Sequence, residues 1–184
     1  MNELKLIKNC VRRDPIAQKT LFGNYYTQIY TLAMRFLANH HDTEDVMIIV
    51  FSKVFDRIES FEYRGNDSLK KWIKTIAINE SIRFLEHKKP LHLVENETII
   101  ENEMAIKEDI TSIDPEEAYA IIESMPPGYR TVFNLYAIEG YTHREISQML
   151  NITGSTSKSQ LCKARNFIIE KLKKSQTYGA QKLR

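Results

Sequence analysis

Residues 142–165, THREISQMLNITGSTSKSQLCKAR, read as two helices with a tight break between them. Thr142 followed by Glu145 forms a capping box, in which the hydroxyl takes an orphan backbone N–H and the carboxylate reaches back to the cap. Ile146, Met149 and Leu150 then share one helical face. Asn151 stands where the chain must turn, and Asn tolerates the left-handed conformation better than most residues. Ile152 follows as a buried plug, and Ser155 or Thr156 caps the second helix. In that helix Leu161, Phe167 (or Ala164) and Ile168 face inward, which leaves Lys158, Ser159, Gln160, Cys162 and Lys163 mostly outward. The pattern is that of a helix-turn-helix, whose second helix brings its N-terminal residues to base edges in the DNA major groove. An ordinary helical hairpin shares the apolar pattern, but charge separates the two readings. From Ser155 to Arg184, eight basic residues stand against one acid, Glu170, a net of +7 in a chain whose formal charge is only +2. Such a concentration of cations is the footprint of binding to a phosphate backbone.

At 184 residues the chain is long enough for one domain or two small ones. Its 42% hydrophobic content is ordinary for a globular protein. Cys10 and Cys162 lie far apart in no metal-like spacing, which fits a reducing compartment better than a disulfide scaffold. The opening MNELKLIKNCVRRD carries no long apolar run and no small-residue cleavage site, and no stretch approaches the length of a membrane span. A soluble, cytoplasmic protein with no direct membrane insertion is expected. His40, His41, His87, His92 and His143 form no ligand spacing on one helix face, and no nucleophile sits in a strand-turn-helix setting. Hence no enzyme, catalytic residue, metal or cofactor is expected.

The N-terminal half is helical by periodicity. Leu4, Ile7 and Val11 share a face, as do Ala17, Leu21 and Tyr25, with Asp14-Pro15 between them and Pro suited to a first helical position. Phe22, Tyr25, Tyr26 and Tyr30 have the spacing of core packing rather than of a stacking platform. Asp42 is expected to cap the next helix, with Glu44 and Asp45 opposing the positive end of its dipole. Val46, Val50, Val54 and Ile58 repeat every four residues; the helix is either the central one of a bundle or gives part of its surface to a partner, for which Ile48 and Ile49 supply apolar surface away from the main stripe. After the turn chemistry of Gly65-Asn66-Asp67, Ser68 is placed to cap a helix reaching His87. Seven bases against three acids from Arg64 to Lys89, near Tyr63 and Trp72, suit melted nucleic acid, although this segment alone favours a solvated basic face with a core Trp.

From Glu95 to Glu117 nine acids stand against Lys107, a net of −8, the composition of a solvated linker. Asp114-Pro115-Glu116-Glu117 restarts helix, Met125-Pro126-Pro127 stops it, and Gly140 is expected to close the next helix in the left-handed conformation. The residues from Ser175 onward are expected to fray. The fold predicted is all-α: two small helical domains joined by an acidic linker, the C-terminal one a four-helix domain containing the helix-turn-helix. The boundaries expected are residues 1–90, 91–113 and 114–184.

Two stretches resemble one family. Pro126, Pro127, Tyr129, Arg130, Glu139, Gly140, Thr142, Glu145, Ile146, Thr156, Lys158, Ser159, Ala164 and Arg165 match region 4 of bacterial RNA polymerase sigma factors of the extracytoplasmic-function (ECF) group. Asp42, Glu44, Asp45, Val50 and Phe51, then Phe61, Arg64, Gly65, Trp72, Ile76, Ala77 and Asn79, are similar to region 2. The resemblance spans roughly residues 10–174, in the family's order. It departs at Ile48-Ile49, where the family usually has Gln-Glu, and at Ser155, where a glycine is usual.

The resemblance implies a specificity subunit of core RNA polymerase that reads promoter DNA. Asp42, Glu44, Asp45, Ile48, Ile49 and Phe51 would dock on polymerase. Tyr63, Arg64, Trp72, Lys74 and Asn79 would meet the melted minus-10 element. Ser155, Thr156, Lys158, Ser159, Gln160, Cys162, Lys163 and Arg165 would read the minus-35 element. An anti-sigma factor, often membrane-anchored in the family, is a further partner the resemblance makes plausible. The competing reading is a helix-turn-helix regulator with an N-terminal sensing or dimerising module. The capped acidic helix and the basic Trp-containing segment between Asp42 and Asn79 argue against it.

Overall fold

A computed structural model describes residues 2–88 and 114–181, with side chains for all of these except 115 and 175–181. The acidic-linker expectation falls largely outside the described residues. Every regular element among them is helical: α1 (Glu3–Val11), α2 (Pro15–Leu37), α3 (His40–Arg57), a 3-10 turn (Ile58–Ser60), α4 (Ser68–Lys88), α5 (Pro115–Ser124), α6 (Pro127–Phe133), a π-helical turn (Asn134–Ile138), α7 (His143–Leu150) and α8 (Gly154–Gln181). The chain divides into two compact units, residues 1–89 and 90–184. No described helix is long and apolar enough to cross a membrane.

In the first unit α2, α3 and α4 pack on one another, and α1 lies against α2 and the 3-10 turn. Asp14 caps α2 through Oδ1, which accepts the Ile16 N–H at 2.8 Å, with Pro15 as the first helical residue. Asn39, not Asp42, caps α3: its Oδ1 accepts the Asp42 N–H at 3.0 Å. Two Asx side chains three residues apart compete for one cap, and the outer one, with extended backbone, takes it. Val46, Val50 and Val54 form a buried stripe on α3, continued by Ile58 of the 3-10 turn. The buried face of α1 is Leu6, Ile7 and Cys10, so Leu4 and Val11 lie outside it.

The aromatic residues of α2 also differ from expectation. Phe22 is exposed, and Phe22, Tyr26 and Tyr30 form a ladder along the edge of the core, with ring centroids 4.9 and 5.8 Å apart, ending on His40. Ser68 opens α4 but turns back to the loop, accepting the Arg64 N–H and donating to the Gly65 carbonyl. Glu80 is buried and bridges α4 to α3, accepting from Lys53 at 2.6 Å and Arg83 at 2.9 Å.

In the second unit α6, α7 and α5 pack against α8. Ile121, Met125 and Ala164 make an apolar cluster on which Tyr129, Phe133, Phe167 and Ile168 close. Arg130 is buried and donates to the Glu123 and Met125 carbonyls, tying the end of α5 to α6; burial lowers its pKa. Gly140 has φ +80°, as a left-handed helix terminus requires. Helix α8 continues to Gln181, past the point where fraying was expected.

Candidate nucleic-acid interface

The helix-turn-helix is assembled by local chemistry. Thr142 Oγ1 accepts the Glu145 N–H at 3.3 Å and Glu145 Oε2 accepts the Thr142 N–H at 2.8 Å, a complete capping box. The Thr142 N–H and hydroxyl both donate to the Glu145 carboxylate and lower its pKa. Asn151 ends α7 in the left-handed region, φ 51° and ψ 48°. Thr153, not Ser155 or Thr156, caps α8: its Oγ1 accepts the Thr156 N–H at 3.0 Å. With hydroxyl residues at four of the five positions from Thr153 to Ser157, the one next to the Asn151 turn lies before the first helical turn and takes the cap. Ile152 is half-buried.

On α8, Ser155, Lys158 and Arg165 are exposed and Ser159, Cys162 and Lys163 half-exposed. Ser155, Lys158, Ser159, Cys162 and Arg165 recur at helical spacing and form one outward stripe. Two residues expected on that surface point inward: Thr156 is buried and hydrogen-bonded to Thr153, and Gln160 is 1% exposed. The family pattern places these residues in the helix without fixing which side of it they occupy. Gln160 Oε1 is buried with no hydrogen-bond partner.

One contact was not legible in the sequence. His143, the first residue of α7, brings Nδ1 to 2.9 Å from the Oγ of wholly buried Ser157, while its ring stacks on Tyr136 at 4.5 Å. Desolvation, with Lys158 and Arg165 nearby, holds its pKa below the ordinary histidine value. In sequence His143 stood out only as one of five scattered histidines.

The first unit carries two further surfaces. On α3, Glu44 and Asp45 are exposed, Ile48 is 71% exposed and Ile49 39%. Phe51 belongs to the core instead: it is 4% exposed, with Phe22 at 4.6 Å across the α2–α3 contact. Asp42 is half-buried and holds Lys88 at 2.6 Å, so its carboxylate is already engaged. The loop between the 3-10 turn and α4 bears the second surface. Gly65 and Asp67 have positive φ (97° and 65°), and the Tyr63 hydroxyl donates to Asn66 Oδ1 at 3.3 Å. Arg64 is exposed beside Glu62. Trp72 is half-buried against Phe61, ring centroids 5.0 Å apart, with Lys74 and Asn79 half-exposed further along α4. Trp72 and Asn79, seven residues apart, share a side of α4, whereas Lys74 lies on another; with Tyr63 and Arg64 on the loop they supply aromatic and cationic groups able to stack bases and neutralise phosphates.

Residues 21–90 match the family model for Sigma-70 region 2, and residues 116–168 match that for Sigma-70, region 4. The ECF RNA polymerase sigma factor SigW of Bacillus subtilis is 28% identical over 181 residues, covering 92% of this chain and 96% of that one. The ECF RNA polymerase sigma-E factor of Haemophilus influenzae is 22% identical over 188 residues, covering 94% and 96%. Among solved structures, the sigma factor RpoE of Bartonella quintana, crystallised with the anti-sigma factor NepR, superposes with a TM-score of 0.52 at 21% identity, covering 84% of this chain and 96% of that chain. That last likeness is one of fold.

Proposed function

The chain belongs to the sigma-70 family, in the ECF group of transcription initiation factors, and on that premise we propose how its surfaces divide the work of opening a promoter. The exposed face of α3, with Glu44, Asp45, Ile48 and Ile49, docks on core RNA polymerase. Phe51 supports that face from the core, and Asp42 through its pair with Lys88. Tyr63, Arg64, Trp72, Lys74 and Asn79 hold the melted minus-10 strand, where extruded bases need stacking partners and cations. The outward stripe of α8, Ser155, Lys158, Ser159, Cys162 and Arg165, with Lys163 beside it, reads the minus-35 element in the major groove.

In this reading residues 1–90 form the docking and melting domain, 91–113 a linker and 114–184 the duplex-reading domain. The protein hydrolyses nothing. Strand opening draws on protein–DNA contacts and base capture, in the cytoplasm where polymerase works. An anti-sigma protein covering these surfaces is a further partner, as NepR is for the Bartonella relative.

The observation that carries the proposal is the outward stripe on α8, in a chain that also holds a region 2 match. Co-elution of the purified full chain with bacterial core polymerase in size-exclusion chromatography tests it. Stable co-elution supports the reading. Duplex DNA binding with no polymerase association would instead assign the chain to helix-turn-helix regulators.

A further inference from the structure

We propose that His143, acting through Ser157, is a positioning residue that sets the rotation of α8 and so decides which side chains of its outward stripe meet the bases. The inference rests on the duplex-reading assignment made above. Three elements meet at one imidazole. His143 opens α7, its Nδ1 lies 2.9 Å from Ser157 Oγ in the first turns of α8, and its ring lies on Tyr136 of the π-helical turn at an interplanar angle of 20°.

A directional contact matters here because of what the inner face of α8 lacks. Its first two turns bury Thr156, Ser157 and Gln160, all polar, and the apolar inward residues begin only at Leu161 and Ala164. The apolar stripe that normally faces a helix toward its core is therefore absent from these turns, and a directional hydrogen bond takes its place there. Residues three or four apart lie only about 40–60° from one another around a helix, so a rotation of that size moves Lys158 off the bases and brings in a neighbour. Gln160 Oε1 has no partner to hold it, whereas Ser157 does. Desolvation and the nearby cations Lys158 and Arg165 keep the ring neutral at neutral pH. Either neutral tautomer serves, since Nδ1 accepts from the hydroxyl or donates to it.

The test uses the full chain and a pool of randomised DNA duplexes, with sequencing of the duplexes retained by wild type and by Ser157→Ala, His143→Phe, His143→Asn and Lys158→Ala. Thermal unfolding checks that each variant is folded at the assay temperature. Ser157→Ala removes the bond, and His143→Phe removes it while keeping a ring on Tyr136. His143→Asn places an amide oxygen near the Nδ1 position and restores the bond. We expect both bond-removing variants to flatten the base preference and to weaken binding to the duplex preferred by wild type by about tenfold, the worth of one mismatched base pair. His143→Asn should keep the wild-type preference. Wild-type preference in Ser157→Ala and His143→Phe, even with a lowered melting temperature, overturns the proposal and leaves the bond a matter of stability. Selection by Lys158→Ala identical to wild type, or no selection by wild type, overturns the duplex-reading assignment and the inference with it.

Discussion

Replacing Ile48 with Ser separates docking from folding. Ile48 is 71% exposed on α3. Burying an Ile side chain completely is worth about 1.5–3 kcal/mol, so covering the exposed seven-tenths of this one contributes about 1–2 kcal/mol on docking. That corresponds to a loss of about 5- to 30-fold in affinity for core polymerase when Ser replaces it. The same exposure predicts a change in folding stability within about 0.5 kcal/mol. The assay is competition between Ile48→Ser and labelled wild type for core polymerase, with urea unfolding of both proteins alongside. Weakened competition with unchanged unfolding is the expected result. Unchanged affinity would refute the assignment of this face of α3 to polymerase. Lost affinity together with a lost urea midpoint would refute the claim that Ile48 stands clear of the core.

Phe51→Ala should behave in the opposite way: its buried ring, packed on Phe22, predicts a loss of about 3–5 kcal/mol in urea unfolding, with any polymerase defect following from unfolding. Gln160→Met should raise stability by about 1 kcal/mol by removing a buried oxygen without a partner, and leave duplex affinity unchanged, as anisotropy titration would show. His143 has a depressed folded pKa, so below about 6.5 the unfolded chain binds the proton first. The melting temperature should therefore fall as pH drops from about 6.5 toward the folded value. The His143→Phe variant should lack that component of the pH profile.

What could be read in the sequence was mostly backbone chemistry acting over a few residues. The Asp14-Pro15 and Asp114-Pro115 helix starts, the Thr142–Glu145 box and the left-handed Asn151 and Gly140 all form as expected. Their partners lie within a few residues, so the sequence contains the whole interaction. The α3 core stripe was legible for a similar reason, a simple period in apolar residues. Misreadings arose where several neighbours could fill one role and where burial is settled by tertiary packing. Asn39 takes the cap expected of Asp42, and Thr153 the one expected of Ser155 or Thr156. Phe51, Thr156 and Gln160 are buried because motif matching fixes a residue's place along a helix but not the side it turns outward. The His143–Ser157 bond and the Lys53–Glu80 bridge join residues 14 and 27 positions apart, and no local pattern announces them.

A chain of this kind should give core polymerase the ability to open a promoter. Permanganate footprinting tests it most directly, on promoter fragments incubated with bacterial core polymerase alone, the chain alone, and both together. Thymines in a short melted region should react only when both are present, and less when Tyr63 and Trp72 are replaced by Ala. Equal reactivity with polymerase alone, or protection of duplex by the chain with no melted thymines, would contradict it.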